Sequence, residues 1–403
     1  MKEWKTYKLS EIGQVIGGAT PSTKVASNYD GDIAWITPKD LSLLSGRYVY
    51  KGERCITEAG YKSCSCQMLP AGSILFSSRA PIGYIAIAGN ELCTNQGFKS
   101  VVPNPEIVNS HFLYYLLSYE KNRIAEMGSG TTFMEISGNV MKNIEVKLPD
   151  LSIQNKIAEI LTSLDEKIEN NKRINDNLEQ QAQALYKSWF VDFEPFKDGD
   201  FVESELGSIP KGWKVVELGD VTKQITEKVK NRTDVKVLSP VTTGELVLSE
   251  EYFTKQVFSE SIAKYIVVKP LQFAYNPARV NIGSLGMNTF EFDGCVSPVY
   301  VVFECERDYQ YFFDYFRKTE AFKEEVLARA IGGVRQSLSY KDFSLIKLIY
   351  PPRTIVEKFN RLYSNILVSI NHNKVEANNL TDMRDILLPK LMSGELKINE
   401  IDC

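Results

Sequence analysis

From Leu151 to Phe190 neither Pro nor Gly interrupts the chain, and seam positions return every seven residues. Ile157, Leu164, Asn171, Leu178 and Leu185 form one row. Ile160, Leu161, Ile168, Ile174 and Ala182 fill the stripe beside it. Phe359, Ile366, Asn373, Leu380 and Leu387 repeat the row near the C-terminus. Five heptad positions in each copy predict long coiled-coil helices, not ordinary surface helices. If the two run antiparallel, Asn171 and Asn373 meet near the centre, where a buried Asn fixes register; the alternative is two solvated flanks. Ser152 and Thr354 are the expected caps, and Pro389 is expected to end or kink the second helix. Elsewhere, Ile74-Leu75-Phe76, Tyr84 to Ile87 and Val299 to Phe303 are short apolar runs bounded by Gly, Pro or Asn, which predict buried strands. His111 to Leu117 and Tyr311 to Val326 predict helices. Strands and helices do not alternate regularly, so the fold class is α+β.

The helices belong to a larger repeat. Trp4-Lys5, Leu9 and Ile12 recur as Trp213-Lys214, Leu218 and Val221, and Arg79-Ala80-Pro81-Ile82-Gly83 recurs as Arg279-Val280-Asn281-Ile282-Gly283. Ile136-Ser137 matches Leu338-Ser339, and Pro149 matches Pro351. Early offsets vary and late ones hold constant, so loops differ while a framework persists. Two copies of one domain-sized unit follow. The expected segments are a first globular module at 1–150, a spacer helix at 151–192, a linker at 193–209, a second module at 210–350, a second spacer helix at 351–392 and a tail at 393–403. Paired modules on long helices suit the reading of two DNA half-sites by one chain.

Composition narrows the class. The 403 residues carry a net charge of −4, with the acidity concentrated at 151–206, where 6 basic residues face 12 acidic ones. Residues 1–150 (15 against 14) and 207–350 (19 against 18) are balanced, which leaves room for a basic face on each module. No run approaches 18 apolar residues, and the N-terminus has no apolar signal region, so a cytoplasmic protein with no membrane contact is expected. Seven irregularly spaced cysteines point to a reducing compartment. Two histidines, His111 and His372, limit His-based catalysis and metal binding.

Several stretches resemble the DNA-specificity (S) subunits of Type I restriction–modification systems. They are Pro210-Lys211-Gly212-Trp213 running into Leu218-Gly219-Asp220-Val221, and the ending Leu388-Pro389-Lys390-Leu391-Met392-Ser393-Gly394-Glu395-Leu396. Gly128-Ser129-Gly130-Thr131-Thr132-Phe133 before Ile136-Ser137, and Leu148-Pro149 with Ile153-Gln154-Asn155-Lys156-Ile157, belong with them. The resemblance covers nearly the whole chain. It implies two target-recognition domains reading a bipartite sequence in double-stranded DNA, separated by two long helices in an antiparallel coiled coil. It also implies two methyltransferase (M) subunits as partners and, through them, restriction (R) subunits. Catalysis, S-adenosylmethionine and ATP then belong to the partners, and the chain itself takes no cofactor. The alternatives are a specificity subunit of another bipartite restriction system and a two-fold protein scaffold that does not bind DNA.

Catalytic patterns are incomplete. Tyr275-Asn276-Pro277-Ala278 and Tyr350-Pro351-Pro352-Arg353 fall short of the Asn/Asp-Pro-Pro-aromatic loop of an amino-methyltransferase. Asp150 with Asp165-Glu166-Lys167 imitates a metal-dependent nuclease, but the latter three fall along the heptad helix and read as solvated charges. Cys55, Cys64 and Cys66 lack a second zinc knuckle and read as free thiols. His111 reads as helix-end packing. Gly332-Gly333 lacks the Lys-Ser/Thr of a phosphate loop. No catalytic or metal-binding residue is assigned.

DNA binding needs cations for phosphates and planar donors for bases. Arg79 and Arg279 are the matched pair expected at base edges, flanked by Ser77 and Ser78 and by Asn276 and Asn281; a structural salt bridge is the alternative for each. Gly-rich segments contribute Thr131, Thr132, Arg335 and Gln336. Expected phosphate contacts are Lys24, Lys39, Arg47, Lys51 and Arg54, answered by Lys223, Lys228, Lys230, Arg232 and Lys255, with Thr242 and Thr243 in a comparable early loop.

Overall fold

A computed structural model describes residues 4–129, 134–253, 258–259, 261–329 and 337–396. Two compact units emerge, Met1–Asn175 with Asn371–Cys403, and Asp176–Ile370. Both long helices pass through both units.

In the first unit an antiparallel pair, Lys5–Lys8 with Glu145–Leu148, joins the two ends of the globular module. Its alternating sequence buries Val146 and Leu148 and exposes Glu145 and Lys147, as a half-buried strand requires. The larger sheet orders Gly13–Gly17, Lys99–Pro103, Ile74–Phe76, Ile85–Ala88 and Tyr48–Val49. Ile74–Phe76 is an unbroken apolar run because both its faces are covered. A smaller sheet orders Cys55–Ile56, Tyr29–Ile36 and Cys93–Thr94. The helix Ser110–Glu126 starts at Asn109, whose side chain accepts from the Phe112 N–H. Leu9, Phe76, Phe112 and Met141 share one core with Ile157 and Leu161 of the first long helix and with Leu391 and Met392 of the second.

The second unit repeats this plan. Lys214–Glu217 pairs with Lys347–Tyr350, and Thr222–Ile225, Val301–Cys305, Phe273–Tyr275 and Leu285–Met287 form, in that order, the four-stranded sheet that matches the five-stranded sheet of the first unit; a second four-stranded sheet orders Leu246–Leu248, Lys236–Pro240, Gly294–Val296 and Ile266–Val268. No fifth strand joins the first of these sheets among the described residues. Its core is more aromatic: Phe273 stacks on Phe303 at 5.2 Å, and Tyr275 on Phe343 at the same distance. The stretch expected as a linker contains a hairpin, Phe201–Ser204 with Gly207–Pro210, and Phe193 and Phe196 pack edge-on against Trp213.

The long helices span Leu151–Phe190 and Arg353–Met392. In the first unit Asp165 meets Arg384, Lys167 and Asn171 meet Glu376, and Asn175 meets Asn373. Rising numbers on one helix meet falling numbers on the other, so the pair is an antiparallel coiled coil. In the second unit Tyr186 and Phe190 pack on Phe359, with ring centroids 6.1 and 5.1 Å apart. All ten seam residues, from Ile157 to Leu185 and from Phe359 to Leu387, are buried or half-buried. No helix among the described residues is long and apolar enough to cross a membrane.

Several local expectations change. Asn171 and Asn373 do not meet; Asn171 donates to Glu376 (2.8 Å) and Asn373 to Asn175 (2.9 Å), because the helices are staggered by about one turn relative to that pairing. Ile174 lies on the exposed side. Ser152 and Thr354 fall inside the first turns, where the carbonyls of Asp150 and Pro352 accept the first helical bonds. Pro389 does not end its helix, which runs three residues further. Burial of Leu391 and Met392 offsets the bond that Pro cannot donate. The stretch Tyr311 to Val326 is two helices, Gln310–Phe316 and Glu320–Arg329, because the Thr319 hydroxyl accepts from the Phe322 N–H and starts a second helix. The strand expected from Val299 starts at Val301, since Tyr300 N–H closes a turn on Ser297.

Candidate nucleic-acid interface

Arg79 and Arg279 sit in matching hairpin loops of the five-stranded sheet and of its four-stranded match. Arg79 lies between Ile74–Phe76 and Ile85–Ala88, and Arg279 between Phe273–Tyr275 and Leu285–Met287. Each loop turns at a glycine with positive φ, Gly83 (97°) and Gly283 (96°), a conformation that side chains beyond Gly disfavour. The two flanking serines build their loop instead of offering contacts. Ser77 Oγ accepts from Tyr84 N–H (2.8 Å) and donates to the Pro81 carbonyl (2.9 Å). Ser78 Oγ donates to the Gly97 carbonyl (3.1 Å). Both serines are fully buried, which corrects their expected role at DNA. Asn276 accepts from the Ala278 N–H (3.0 Å) and so also braces its own loop. Asn281 is half-buried within the turn.

The two arginines differ in surroundings. Arg79 pairs with Glu135 at 3.0 Å, yet its side chain keeps 44% of its exposure. Lys99 approaches the same carboxylate at 3.4 Å. Partial burial pushes the Glu135 carboxyl up, but the two cations outweigh it and hold the group below the usual range. Arg279 is exposed and lines an open cavity of about 320 Å³ in the second unit, together with Thr242, Asn276, Tyr252, Tyr265 and Tyr300. Burial pushes the Tyr300 hydroxyl up against the opposing effect of the Arg279 charge, so it stays a neutral donor. These tyrosines carried no sequence signal; they are brought together only by the fold.

The remaining cations divide by partner. Lys24, Lys51, Lys223, Lys228 and Lys230 are exposed. Arg54 is exposed with its guanidinium 4.0 Å from the Tyr29 ring centroid. Lys39 pairs with Glu53 (2.6 Å) in the open, and Arg232 pairs with Asp234 (2.6 Å) and Asp293 (2.8 Å). Thr242 is exposed, and Thr243 bonds Glu245 (3.1 Å). Arg47 is not a surface cation: it is buried against Asp165 and Glu169 of the first long helix, which corrects its expected role as a phosphate contact. Asp165 is likewise buried and not solvated, whereas Lys167 is an exposed partner of Glu376. Thr131, Thr132, Lys255, Arg335 and Gln336 lie outside the described residues.

The thiols and the first histidine are structural in setting. Cys64 and Cys66 lie 3.3 Å apart, and burial pushes the neighbouring Cys93 thiol up to about 11. His111 shares a 2.6 Å hydrogen bond with the Tyr48 hydroxyl at the start of its helix. Among the described residues no group of three or more His, Cys, Asp or Glu side chains is arranged to hold a metal ion.

A family model described as the Type I restriction modification DNA specificity domain matches residues 1–180. The specificity subunit of the Type I restriction enzyme MjaIX from Methanocaldococcus jannaschii is 35% identical over an alignment covering 99% of this chain and 95% of that protein. The specificity subunit of the Type I enzyme HindI from Haemophilus influenzae is 24% identical, covering 98% and 100%. The crystal structure of a Type I restriction–modification S subunit from M. genitalium superposes with a TM-score of 0.61 at 15% identity, covering 96% of each chain. That likeness concerns the fold.

Proposed function

Since the chain belongs to the family of Type I restriction enzyme specificity subunits, we propose that it reads a bipartite target in double-stranded DNA, one half-site by each globular module. The subunit is not itself the enzyme; methyl transfer and cleavage reside in partner subunits. The observation that carries the reading is the duplicated hairpin, in which Arg79 and Arg279 recur at one place in the five-stranded sheet of the first unit and the matching four-stranded sheet of the second.

In this reading Arg79 and Arg279 reach base edges in the major groove, where an Arg forks onto guanine O6 and N7. Lys24, Lys51 and Arg54 in one module, and Lys223, Lys228 and Lys230 in the other, neutralise phosphates. Lys39 and Arg232 contribute only by exchanging their carboxylates for phosphate oxygens. Thr242 and the tyrosines around Arg279 give the second module a contact set of its own, so the half-sites differ.

The exposed sides of the long helices are the docking surface for two methyltransferase subunits, which in turn carry the restriction subunits. Leu362, Val368, Val375, Met383 and Ile386 stay exposed on the second long helix and would supply its apolar contacts. The cytoplasm is the compartment where such an assembly meets DNA.

The test is selection from random duplexes at two salt concentrations, with the purified chain alone and with its methyltransferase subunits. Two short motifs at a constant gap, bound more weakly at high salt, are expected. A stable protein complex that enriches no split motif would instead favour the scaffold.

A further inference from the structure

Gly46 and Arg47 lead into Tyr48–Val49, the edge strand of the five-stranded sheet; among the described residues no strand takes that place in the matching sheet of the second unit. They end against the first long helix. The Arg47 N–H donates to Glu169 Oε1 at 3.0 Å. The guanidinium forks onto both oxygens of that carboxylate, at 3.1 and 3.3 Å. It also lies 3.8 Å from Asp165. Asp165 accepts from the Tyr115 hydroxyl (2.6 Å) on the helix Ser110–Glu126 and from Arg384 (2.8 Å) on the second long helix. The side chains of Arg47 and Asp165 are only 4% and 7% exposed. A Cβ on Gly46 would come within 3.3 Å of Glu169 Oε1, so the loop is closely seated.

Two carboxylates thus tie four segments of the first unit: the Gly46–Tyr48 strand lead, the Ser110–Glu126 helix and both long helices. Buried ion clusters are weak sources of stability compared with apolar packing, but forked charged bonds admit one geometry. The second unit has Leu367 and Ala182 at the positions that match Asp165 and Arg384. There Tyr186 packs on Phe359, and the half-exposed Glu179 takes the Tyr315 hydroxyl (3.2 Å) and Lys318 (3.1 Å); among the described residues the buried Asp314–Arg317 pair beside Lys318 lies within one helix end and makes no forked bond to the long helix. Apolar contact is non-directional and tolerates small rotations.

We propose that Arg47, Asp165, Glu169 and Arg384 are positioning residues that lock the rotational setting of the first recognition module on the paired helices, and so make the gap between the two half-sites a determinant of specificity. This inference rests on the DNA-reading function proposed above. Each base pair of gap moves a half-site by about 3.4 Å and turns it by about 35°. A locked module rejects that change; a swivelling one follows it.

The experiment compares the full-length chain, with its methyltransferase subunits, against a variant carrying Arg47→Met, Asp165→Leu, Glu169→Gln and Arg384→Met. Removing the whole cluster avoids leaving a buried charge alone. A thermal melt establishes that the variant folds. Binding is measured on the selected target, on targets with the gap changed by one base pair, and on targets with single base changes in each motif. For the wild type a changed gap is expected to weaken binding about tenfold or more. For the variant that penalty should fall below about threefold, while base changes cost as much as before. A folded variant that keeps the wild-type gap penalty overturns the proposal. So does one that loses base discrimination in a motif, since the cluster then supports the reading surface itself. If the quadruple variant does not fold, Arg47→Lys is measured the same way; it keeps the charge and loses the fork, so the gap penalty should shrink, and an unchanged penalty overturns the proposal. If the wild type binds no split target, the DNA-reading function fails first, visible in the wild-type arm alone.

Discussion

Arg79 and Arg279 occupy matching turns but meet different neighbours, and that difference governs what each substitution does. Arg79 pairs with Glu135, so under the proposed function it must leave that carboxylate to meet DNA. Glu135→Gln removes the competing carboxylate. It should strengthen DNA binding by up to about fivefold at low salt, since an exposed ion pair contributes no more than about 1 kcal/mol. Titration of a labelled duplex checks this, and weaker binding would contradict it. His111 gives a pH signature. Burial, with the nearby Arg47 charge, holds its pKa below the ordinary 6.5. The folded state therefore keeps His111 neutral while the unfolded chain takes up a proton near 6.5. The contribution is complete above that pH and is lost as pH falls through the lowered folded value. Urea midpoints should drop between pH 7.5 and 5.5 in the wild type and drop less in His111→Gln; parallel drops would contradict the assignment. At this scale the sequence was a poor guide. Residue type marked Arg47, Ser77 and Ser78 as contacts, but burial depends on which distant segments pack over them, here the first long helix and the Gly97 and Tyr84 backbone.

At the scale of elements the heptad rows were the clearest signal, because a seam of period seven has one way to be buried. The helix Leu151–Phe190 fills the stretch that neither Pro nor Gly interrupts. Terminal detail was less legible: Ser152 and Thr354 lie two residues past Asp150 and Pro352, whose carbonyls accept the first helical bonds, and Pro389 is carried along by the packing of Leu391 and Met392. Two substitutions separate these effects. Phe359→Ala empties a fully buried site shared with Tyr186 and Phe190 and should cost about 3–5 kcal/mol. Pro389→Ala restores the missing helix donor and should stabilise, by at most about 3 kcal/mol. Chemical denaturation reads both. A neutral Phe359→Ala, or a destabilising Pro389→Ala, would show that the seam is not weighted as described. The split of Tyr311 to Val326 was hidden because Thr319 acts as a cap only once the chain bends there.

For the whole molecule the repeat was legible from a few short matches, and it carried the paired strand ends, Lys5–Lys8 with Glu145–Leu148 and Lys214–Glu217 with Lys347–Tyr350. The asymmetries were not legible. The fifth strand at Tyr48–Val49, the ionic cluster around Asp165 and the aromatic cavity beside Arg279 all arise from contacts between residues far apart in sequence. Under the proposed function, those asymmetries would let one chain read two different half-sites. The most direct measurement repeats the duplex selection with Arg79→Ala and with Arg279→Ala, each in the full-length chain. Each change is expected to relax one motif, at a cost of about 1–3 kcal/mol for its guanine contact, and to leave the other motif and the gap intact. Selections in which either substitution erodes both motifs equally, or neither, would contradict the assignment of one half-site to each module.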